Sequence, residues 1–196
     1  MNSDLYGLVL CGGKSSRMTR DKAFIQYHKK PQYLHIYYML TQVCKKVFVS
    51  VNLTQTEKLA SHIPYIVDEN NARGPFNGIL SAHLKFPEVS WFVMACDLPF
   101  IDQFHINQLV NKRDPNKAAT TYCSYDDKIA PLIAIWEPGT LLKANEKIFF
   151  NNNFSVINFL KNEDVERVYP KDEKTMMNVN TLDQYSTAKH VLQNFP

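Results

Sequence analysis

The chain has 196 residues, of which 45% are hydrophobic and 21% are charged. This composition is typical of a globular protein and excludes an intrinsically disordered one. The 22 basic and 19 acidic residues leave a net charge of +3, which is too weak to indicate a nucleic-acid-binding protein. No run of about 18 apolar residues occurs, so we predict no transmembrane helix. We expect one globular domain over residues 1–196, with neither nucleic acid nor membrane as a partner.

The cysteines and the first residues bear on the cellular compartment. The four cysteines, Cys11, Cys44, Cys96 and Cys123, form no CxxC pair and show no regular spacing. A zinc site therefore has little support. The chain begins Met-Asn-Ser-Asp, without a basic segment followed by an apolar one, so we expect no secretory signal. These features predict reduced thiols in a cytoplasmic protein.

Short apolar runs rich in β-branched and aromatic residues recur along the chain. Continuous runs of this kind are typical of strands covered on both faces, as in parallel sheets. The predicted strands are Tyr6–Leu10, Val47–Val51, Tyr65–Val67, Trp91–Ala95, Ala118–Cys123, Ile129–Ile135 and Val165–Tyr169.

Segments with helical spacing separate the first strands and end the chain. The predicted helices are Gln32–Val43, Asn77–Leu84, a helix capped by Asp102 that runs through Leu109, and Leu182 to about Gln193. In the third helix, Phe104, Ile106 and Leu109 are predicted to face the core. Alternation of strand and helix predicts a three-layer α/β fold, in which helices cover both faces of a doubly wound and mostly parallel sheet.

The first predicted strand runs into a segment of glycines and cations. After Leu10 and Cys11 come Gly12, Gly13, Lys14, Arg17 and Lys22. Glycine lets the backbone approach a phosphate closely with its N–H groups, and the cations can neutralise a triphosphate. In open α/β sheets, ligands bind beyond the carboxyl ends of the strands. The segment therefore predicts a phosphate site, against the alternative of an ordinary surface turn.

Two familiar phosphate-binding motifs do not fit this segment. A Walker A loop requires a glycine at the position that Leu8 occupies. A Rossmann GxGxxG motif fails because Gly12 and Gly13 are adjacent and position 16 is serine. We interpret the segment as a different type of phosphate-binding loop.

A second predicted strand end carries a carboxylate. Asp97 follows Trp91–Ala95 and precedes Pro99, so it is expected at the sheet edge where ligands bind. Mg²⁺ is bound by one or two carboxylates together with substrate phosphates. An aspartate before a proline is also a common turn residue, but its place beside the glycine segment favours a Mg²⁺ site.

Four stretches together resemble the signatures of the MobA-like family of GT-A-type nucleotidyltransferases: Leu10–Lys22, Gly74–Ile79, Cys96–Phe100 and Asn178–Thr181. The resemblance spans nearly the whole chain and implies a Rossmann-like, GT-A-type fold. Members of this family are molybdenum cofactor guanylyltransferases. They use GTP and Mg²⁺ to convert the molybdopterin cofactor to its guanine dinucleotide form, with release of pyrophosphate.

The resemblance also implies roles for individual residues. Catalytic roles fall to Lys22, Arg17 and Asp97. Mg²⁺ would be held by Asp97, with Asn180 as a second ligand. The implied nucleotide-binding residues are Leu10, Cys11, Gly12, Gly13, Lys22, Asp68 and Asp97. Residues 1 to about 110 would form the nucleotide-binding part and the rest the acceptor-binding part. We expect a monomer that contacts cofactor-synthesis proteins or molybdoenzymes transiently.

Two positions depart from the family pattern. Cys11 stands where the family usually has alanine, and Ser50 stands where an asparagine usually contacts the nucleotide. Asn52 lies two residues later on the same strand face, so either side chain is a candidate. The residues leave base preference open. The alternatives are a relative that uses CTP on molybdopterin, one that activates a sugar or alditol phosphate, and a nucleotide-binding regulator without catalysis.

Overall fold

A computed structural model describes residues 3–12, 21–69, 74–150 and 155–194. Over these ranges the strands are β1 (Leu5–Leu10), β2 (Lys46–Val51), β3 (Tyr65–Val67), β4 (Ser90–Ala95), β5 (Ala119–Cys123), β6 (Ile129–Trp136) and β7 (Glu166–Val168). They form one seven-stranded sheet in the order β3-β2-β1-β4-β6-β5-β7. Only β6 among them is antiparallel to its neighbours. The predicted, mostly parallel α/β sheet is confirmed.

Helices cover both faces of the sheet. They are α1 (Gln32–Leu40), α2 (Phe76–Lys85), α3 (Gln103–Lys112), α4 (Pro138–Phe150), α5 (Val156–Lys161) and α6 (Leu182–Asn194). One core packs α2, α4 and α5 against one face, and a second core packs α1 and α3 against the other. The result is the predicted three-layer arrangement. Among the described residues, no helix combines the length and apolarity needed to cross a membrane.

The seven predicted strands and four predicted helices are all present, with ends that differ by a few residues. One core assignment was wrong, because Phe104 is 54% exposed whereas His105 is buried. The cause lies in the helix cap. Asp102 accepts a hydrogen bond from the backbone N–H of His105, as predicted for an N-cap, and its carboxylate also contacts the His105 ring, with Nδ1 2.6 Å from Oδ1. This cap turns the imidazole toward the protein and the phenyl ring toward solvent.

Helices α4 and α5 were not predicted. The first begins at Pro138-Gly139 directly after β6, and this pair is typical of a turn in sequence. Proline is nevertheless well suited to the first turn of a helix, where its missing N–H has no partner to lose. Leu141 and Ala144 of α4 are fully buried against the sheet. Tertiary packing therefore stabilises this helix, although its first two residues are typical of a turn.

Candidate active site at the carboxyl edge of the sheet

Strands β1 and β4 are neighbours, with Leu10 paired to Ala95 at their last positions. The residues that follow each strand therefore emerge side by side at the carboxyl edge. A cavity of about 200 Å³ opens there. It is lined by Leu10, Cys11, Gly12, Lys22, Ala23, Gly74, Pro75, Ala95, Cys96, Asp97 and Leu132. The two described ends of the glycine segment, at Gly12 and Lys22, thus share one cleft with Asp97, which was predicted separately.

Three polar side chains meet at this cleft, and we call them the carboxyl-edge cluster: Lys22, Asp97 and Asn180. The Lys22 ammonium donates a hydrogen bond to the Asn180 amide oxygen and lies 3.9 Å from the Asp97 carboxylate. Lys22 and Asn180 are 158 residues apart in the chain. The structure therefore brings together three residues that the resemblance implied for phosphate and metal binding.

Asp97 is held in an environment that disfavours its charge. Burial raises the pKa of its carboxyl, and the nearby Lys22 ammonium opposes that effect. Its Oδ1 atom is buried and has no hydrogen-bond partner in the described residues. A buried carboxylate oxygen without a partner is costly. An aspartate left in this state is typical of a functional position rather than of a turn.

The segment that carries Asn180 is fixed to the strand end that carries Asp97. The backbone N–H of Val179 donates to the carbonyl oxygen of Asp97 at 2.8 Å, and the Val179 side chain is fully buried. Gln184 then accepts hydrogen bonds from the backbone N–H groups of Asn180 and Thr181, while the Thr181 hydroxyl accepts from the Gln184 N–H. This reciprocal cap starts α6 and orients Asn180 toward the cleft.

A second group of contacts lies where β1, β2 and β3 end. The Ser50 hydroxyl donates to the Asp68 carboxylate at 2.6 Å, and burial raises the pKa of Asp68 while this hydrogen bond opposes the effect. A Cβ atom on Gly12 would lie 2.6 Å from the Asp68 carboxylate, and one on Gly78 would lie 2.1 Å from the Ser50 hydroxyl. A side chain at either position would therefore displace these neighbours.

Ser50 and Asn52, the two candidate nucleotide contacts on β2, lie in different surroundings. Ser50 is buried beside Asp68, and the position of a Gly78 Cβ would meet both Ser50 and Leu10. The Asn52 side chain is instead exposed and accepts hydrogen bonds from the N–H and hydroxyl of Thr54, which cap the turn after β2. Ser50 is thus the buried side chain of the two, held between Asp68 and Gly78, whereas Asn52 faces solvent.

Two predicted residues, Gly13 and Arg17, lie outside the described ranges. Cys11 lines the cavity. Its thiol is 3.5 Å from that of Cys96, and burial raises its pKa well above the usual value. The four cysteines carry free thiols. Within the described ranges, no three His, Cys, Asp or Glu side chains converge as a metal site, so a metal ion here would need ligands beyond such residues.

Sequence reasoning missed one polar residue of this region. Gln55 is only 2% exposed, and its amide contacts both Cys11 and Asp21. The surrounding Leu53–Lys58 segment is polar and resembles a surface loop in sequence. No periodicity distinguishes a buried glutamine within it, so the contact is visible only in the folded chain.

The fold is a mostly parallel sheet with helices on both faces, and Gly12, Lys22 and Asp97 lie together at its carboxyl edge. This combination defines a nucleotide-binding α/β protein of the Rossmann-like class. A model of the MobA-like NTP transferase domain matches residues 7–153. The chain belongs to this family and is a nucleotidyltransferase.

Named relatives agree with this assignment. The chain is similar to the molybdenum cofactor biosynthesis bifunctional protein of Synechocystis sp., with 31% identity over 182 residues that cover 92% of this chain and 52% of that protein. The chain thus spans about half the length of that relative. A probable molybdenum cofactor guanylyltransferase of Clostridium perfringens is 27% identical over 186 residues, covering 90% of this chain and 92% of that protein.

The fold is also found in solved structures. The molybdopterin-guanine dinucleotide biosynthesis protein A from Archaeoglobus fulgidus superposes with a TM-score of 0.79 at 19% identity, covering 97% of this chain and all of that one. At 19% identity, this similarity shows a shared fold and nothing further. It supports the Rossmann-like assignment that the sheet order and the covering helices indicate.

Proposed function

We propose that this chain transfers GMP from GTP to the molybdenum–molybdopterin cofactor, giving the guanine dinucleotide cofactor and pyrophosphate in a Mg²⁺-dependent reaction. The proposal is supported by family membership and by a relative named as a probable molybdenum cofactor guanylyltransferase that aligns over 92% of its own length. The observation that carries it is the carboxyl-edge cluster, in which the partly buried Asp97 has a buried oxygen without a hydrogen-bond partner among the described residues.

The residues of this cluster fit a magnesium ion. Mg²⁺ prefers oxygen ligands and is commonly held by one or two carboxylates plus substrate phosphates. The buried Oδ1 of Asp97, which has no partner among the described residues, supplies such an oxygen. The Asn180 amide oxygen accepts a hydrogen bond from Lys22, whose ammonium also lies 3.9 Å from Asp97. When bound, the ion would offset negative charge on the phosphates. Asp97 and Asn180 are the residues that would hold it.

The proposed reaction is a substitution at the α-phosphorus of GTP. A terminal phosphate oxygen of the acceptor forms the new P–O bond, the bond to the bridging oxygen of the β-phosphate breaks, and pyrophosphate leaves with that electron pair. The attacking oxygen is already anionic, so no general base is required. Lys22, together with Arg17, would stabilise the negative charge on the transferring and leaving phosphates. Leu10, Cys11, Gly12, Gly13, Asp68 and Asp97 would position the nucleotide.

A pyrophosphate-release assay tests this proposal. GTP, CTP, ATP and UTP are each combined with molybdopterin and with a panel of sugar and alditol phosphates, with and without Mg²⁺. The expected result is turnover with GTP and molybdopterin that depends on Mg²⁺. Preference for CTP, or turnover only with a sugar phosphate, would replace the proposed substrates. Nucleotide binding without any pyrophosphate release would contradict catalysis.

A further inference from the structure

Gln55 occupies an unusual position for a polar residue in a short turn. It lies in the 3-10 helix Leu53–Lys58 that follows β2, and it is 2% exposed. Its side-chain nitrogen donates to the carbonyl oxygen of Cys11 at 3.1 Å and to the carboxylate of Asp21 at 2.7 Å. Its side-chain oxygen accepts from the backbone N–H of Asn52 at 3.0 Å.

These three partners fix which way the Gln55 amide points. The carbonyl of Cys11 and the carboxylate of Asp21 are acceptors and can pair only with the NH₂ group. The N–H of Asn52 is a donor and can pair only with the amide oxygen. If the amide were flipped, its oxygen would face two acceptors, the Cys11 carbonyl and the Asp21 carboxylate, and its NH₂ group would face the N–H of Asn52. Both amide hydrogens and the amide oxygen are therefore used in one orientation.

The two acceptors lie at opposite ends of the glycine segment. Cys11 immediately precedes Gly12, whereas Asp21 immediately precedes Lys22. Asp21 also accepts from the backbone N–H of Ala23 at 3.2 Å, and so caps the short 3-10 helix Lys22–Phe24. One buried side chain thus joins the start of the segment to the turn that presents the Lys22 ammonium to Asp97 and Asn180.

We propose that Gln55 is a positioning residue for nucleotide binding, which ties the two ends of the glycine segment together and holds Lys22 toward the cleft. The inference rests on the proposed function, because it assumes that this segment binds a nucleoside triphosphate. Gln55 does not line the cleft, so it acts through Asp21 and the Cys11 carbonyl. Preorganised groups of this kind lower the ordering cost of binding.

A buried glutamine can also be purely structural, and Gln32 provides a matched control. It is 1% exposed and lies at the start of α1. Its side-chain oxygen has no hydrogen-bond partner in the described part of the chain. Replacing either glutamine by leucine removes one buried amide of equal size. Only Gln55→Leu removes the link between Cys11 and Asp21.

The first experiment measures the dissociation constant for GTP in the presence of Mg²⁺, together with the melting temperature, for the wild type, Gln55→Leu and Gln32→Leu. We expect Gln55→Leu to weaken GTP binding at least tenfold and to raise the KM for GTP more than it lowers kcat. Gln32→Leu should bind GTP within twofold of the wild type. Equal GTP affinity of the two folded variants would overturn the inference, whatever their melting temperatures.

A reversal of hydrogen-bond polarity gives a second test that does not depend on a leucine. Gln55→Glu places a second carboxylate against that of Asp21, and Asp21→Asn can place an NH₂ group against the NH₂ group of Gln55. Each single variant should therefore weaken GTP binding. Combining them lets the asparagine donate to the glutamate, while its oxygen still caps Ala23. The double variant should bind GTP more tightly than Gln55→Glu alone. Additive losses would overturn the link.

Hydrogen exchange separates this inference from the proposed function. The Ala23 amide, which Asp21 caps, should exchange faster in Gln55→Leu than in the wild type without any nucleotide present. If the wild type binds GTP without turning it over, and Gln55→Leu both weakens that binding and speeds exchange of this amide, the positioning role stands and the proposed function falls. An unchanged Ala23 exchange rate, with GTP turnover intact, would overturn the positioning role.

Discussion

Two groups of charged side chains, each at least partly buried, lie at opposite edges of the same sheet. Their charges are paired and hydrogen-bonded to very different degrees. At the amino edge, the Arg113 guanidinium donates to both oxygens of Glu137, at 2.8 and 3.0 Å, and to the hydroxyls of Ser3 and Ser90. Ser90 in turn donates to Glu137 at 2.6 Å. These four residues are the amino-edge cluster, and each of its charges is met by an opposite charge and by further hydrogen bonds.

The carboxyl-edge cluster lacks this completeness. Lys22 is 3.9 Å from Asp97, compared with 2.8 Å between Arg113 and Glu137. Among the described residues, one oxygen of Asp97 has no hydrogen-bond partner. A larger cavity, of about 410 Å³, lies at the amino edge, but its lysines already pair with Asp164 and Glu163. Incomplete pairing, rather than cavity size, therefore distinguishes the site.

The largest effect is expected at Asp97. Asp97→Asn should lower Mg²⁺-dependent pyrophosphate release by about three orders of magnitude, because a bound metal contributes several kcal/mol of charge stabilisation in the transition state. Stability should be unchanged or higher, since the variant removes a buried charge whose pKa burial raises. Steady-state kinetics and thermal unfolding measure the two effects. Near-normal turnover would remove Asp97 from the metal site.

The amino-edge cluster should give the opposite result. Arg113→Leu leaves Glu137 buried without its counter-charge and should lower the free energy of unfolding by about 3–5 kcal/mol. The KM for GTP of the folded variant should stay within about twofold, because no residue of the cleft is touched. Urea unfolding gives the first quantity. The double variant Arg113→Met with Glu137→Leu should be more stable than Arg113→Leu. A double variant less stable than Arg113→Leu would show that Glu137 is well accommodated without its counter-charge.

A smaller loss is expected when the cation of the carboxyl-edge cluster is removed. Lys22→Ala should lower kcat/KM at least about tenfold, because one charge-assisted phosphate contact contributes roughly 1.5–3 kcal/mol. Lys112→Ala, at an exposed position near the end of α3, is the matched control and should leave kcat/KM unchanged. If both variants behave like the wild type, Lys22 does not contact phosphate.

The contrast between the two edges also explains what the sequence could predict. Strands β1 to β4 were predicted because buried parallel strands are continuous apolar runs, and the strand end predicted the place of Asp97. The convergence of Asn180 on Lys22 came from resemblance, since no periodicity links residues 158 positions apart. The hydrogen bonds of Gln55 depend on three separate segments meeting in the fold, so local sequence carries no signal for them. The same holds for Arg113 and Ser3, which are 110 residues apart.

The smallest predicted effect is on the pH dependence of stability, and it concerns His35. Among the described residues this side chain has no ion-pair partner, it is not a site residue, and burial favours its neutral form. His35 stacks on His28, with ring centroids 4.0 Å apart, and His28 contacts the Pro99 carbonyl oxygen just beyond Asp97. Burial is the main cause that lowers the pKa of His35 to about 4, and the His28 and Lys30 charges add to it.

The sign of the pH dependence follows from that direction. In the unfolded chain His35 takes up a proton near pH 6.5, whereas the folded protein resists it until about pH 4. The wild type should therefore lose stability as the pH falls from 6.5 toward 4, relative to His35→Gln, which has no proton to gain. Urea unfolding of both proteins at several pH values measures the difference, and shared groups such as Asp97 cancel in it. Parallel stability curves would mean that His35 is protonated equally well in the folded state, and that the stacked pair tolerates charge as the amino-edge cluster does.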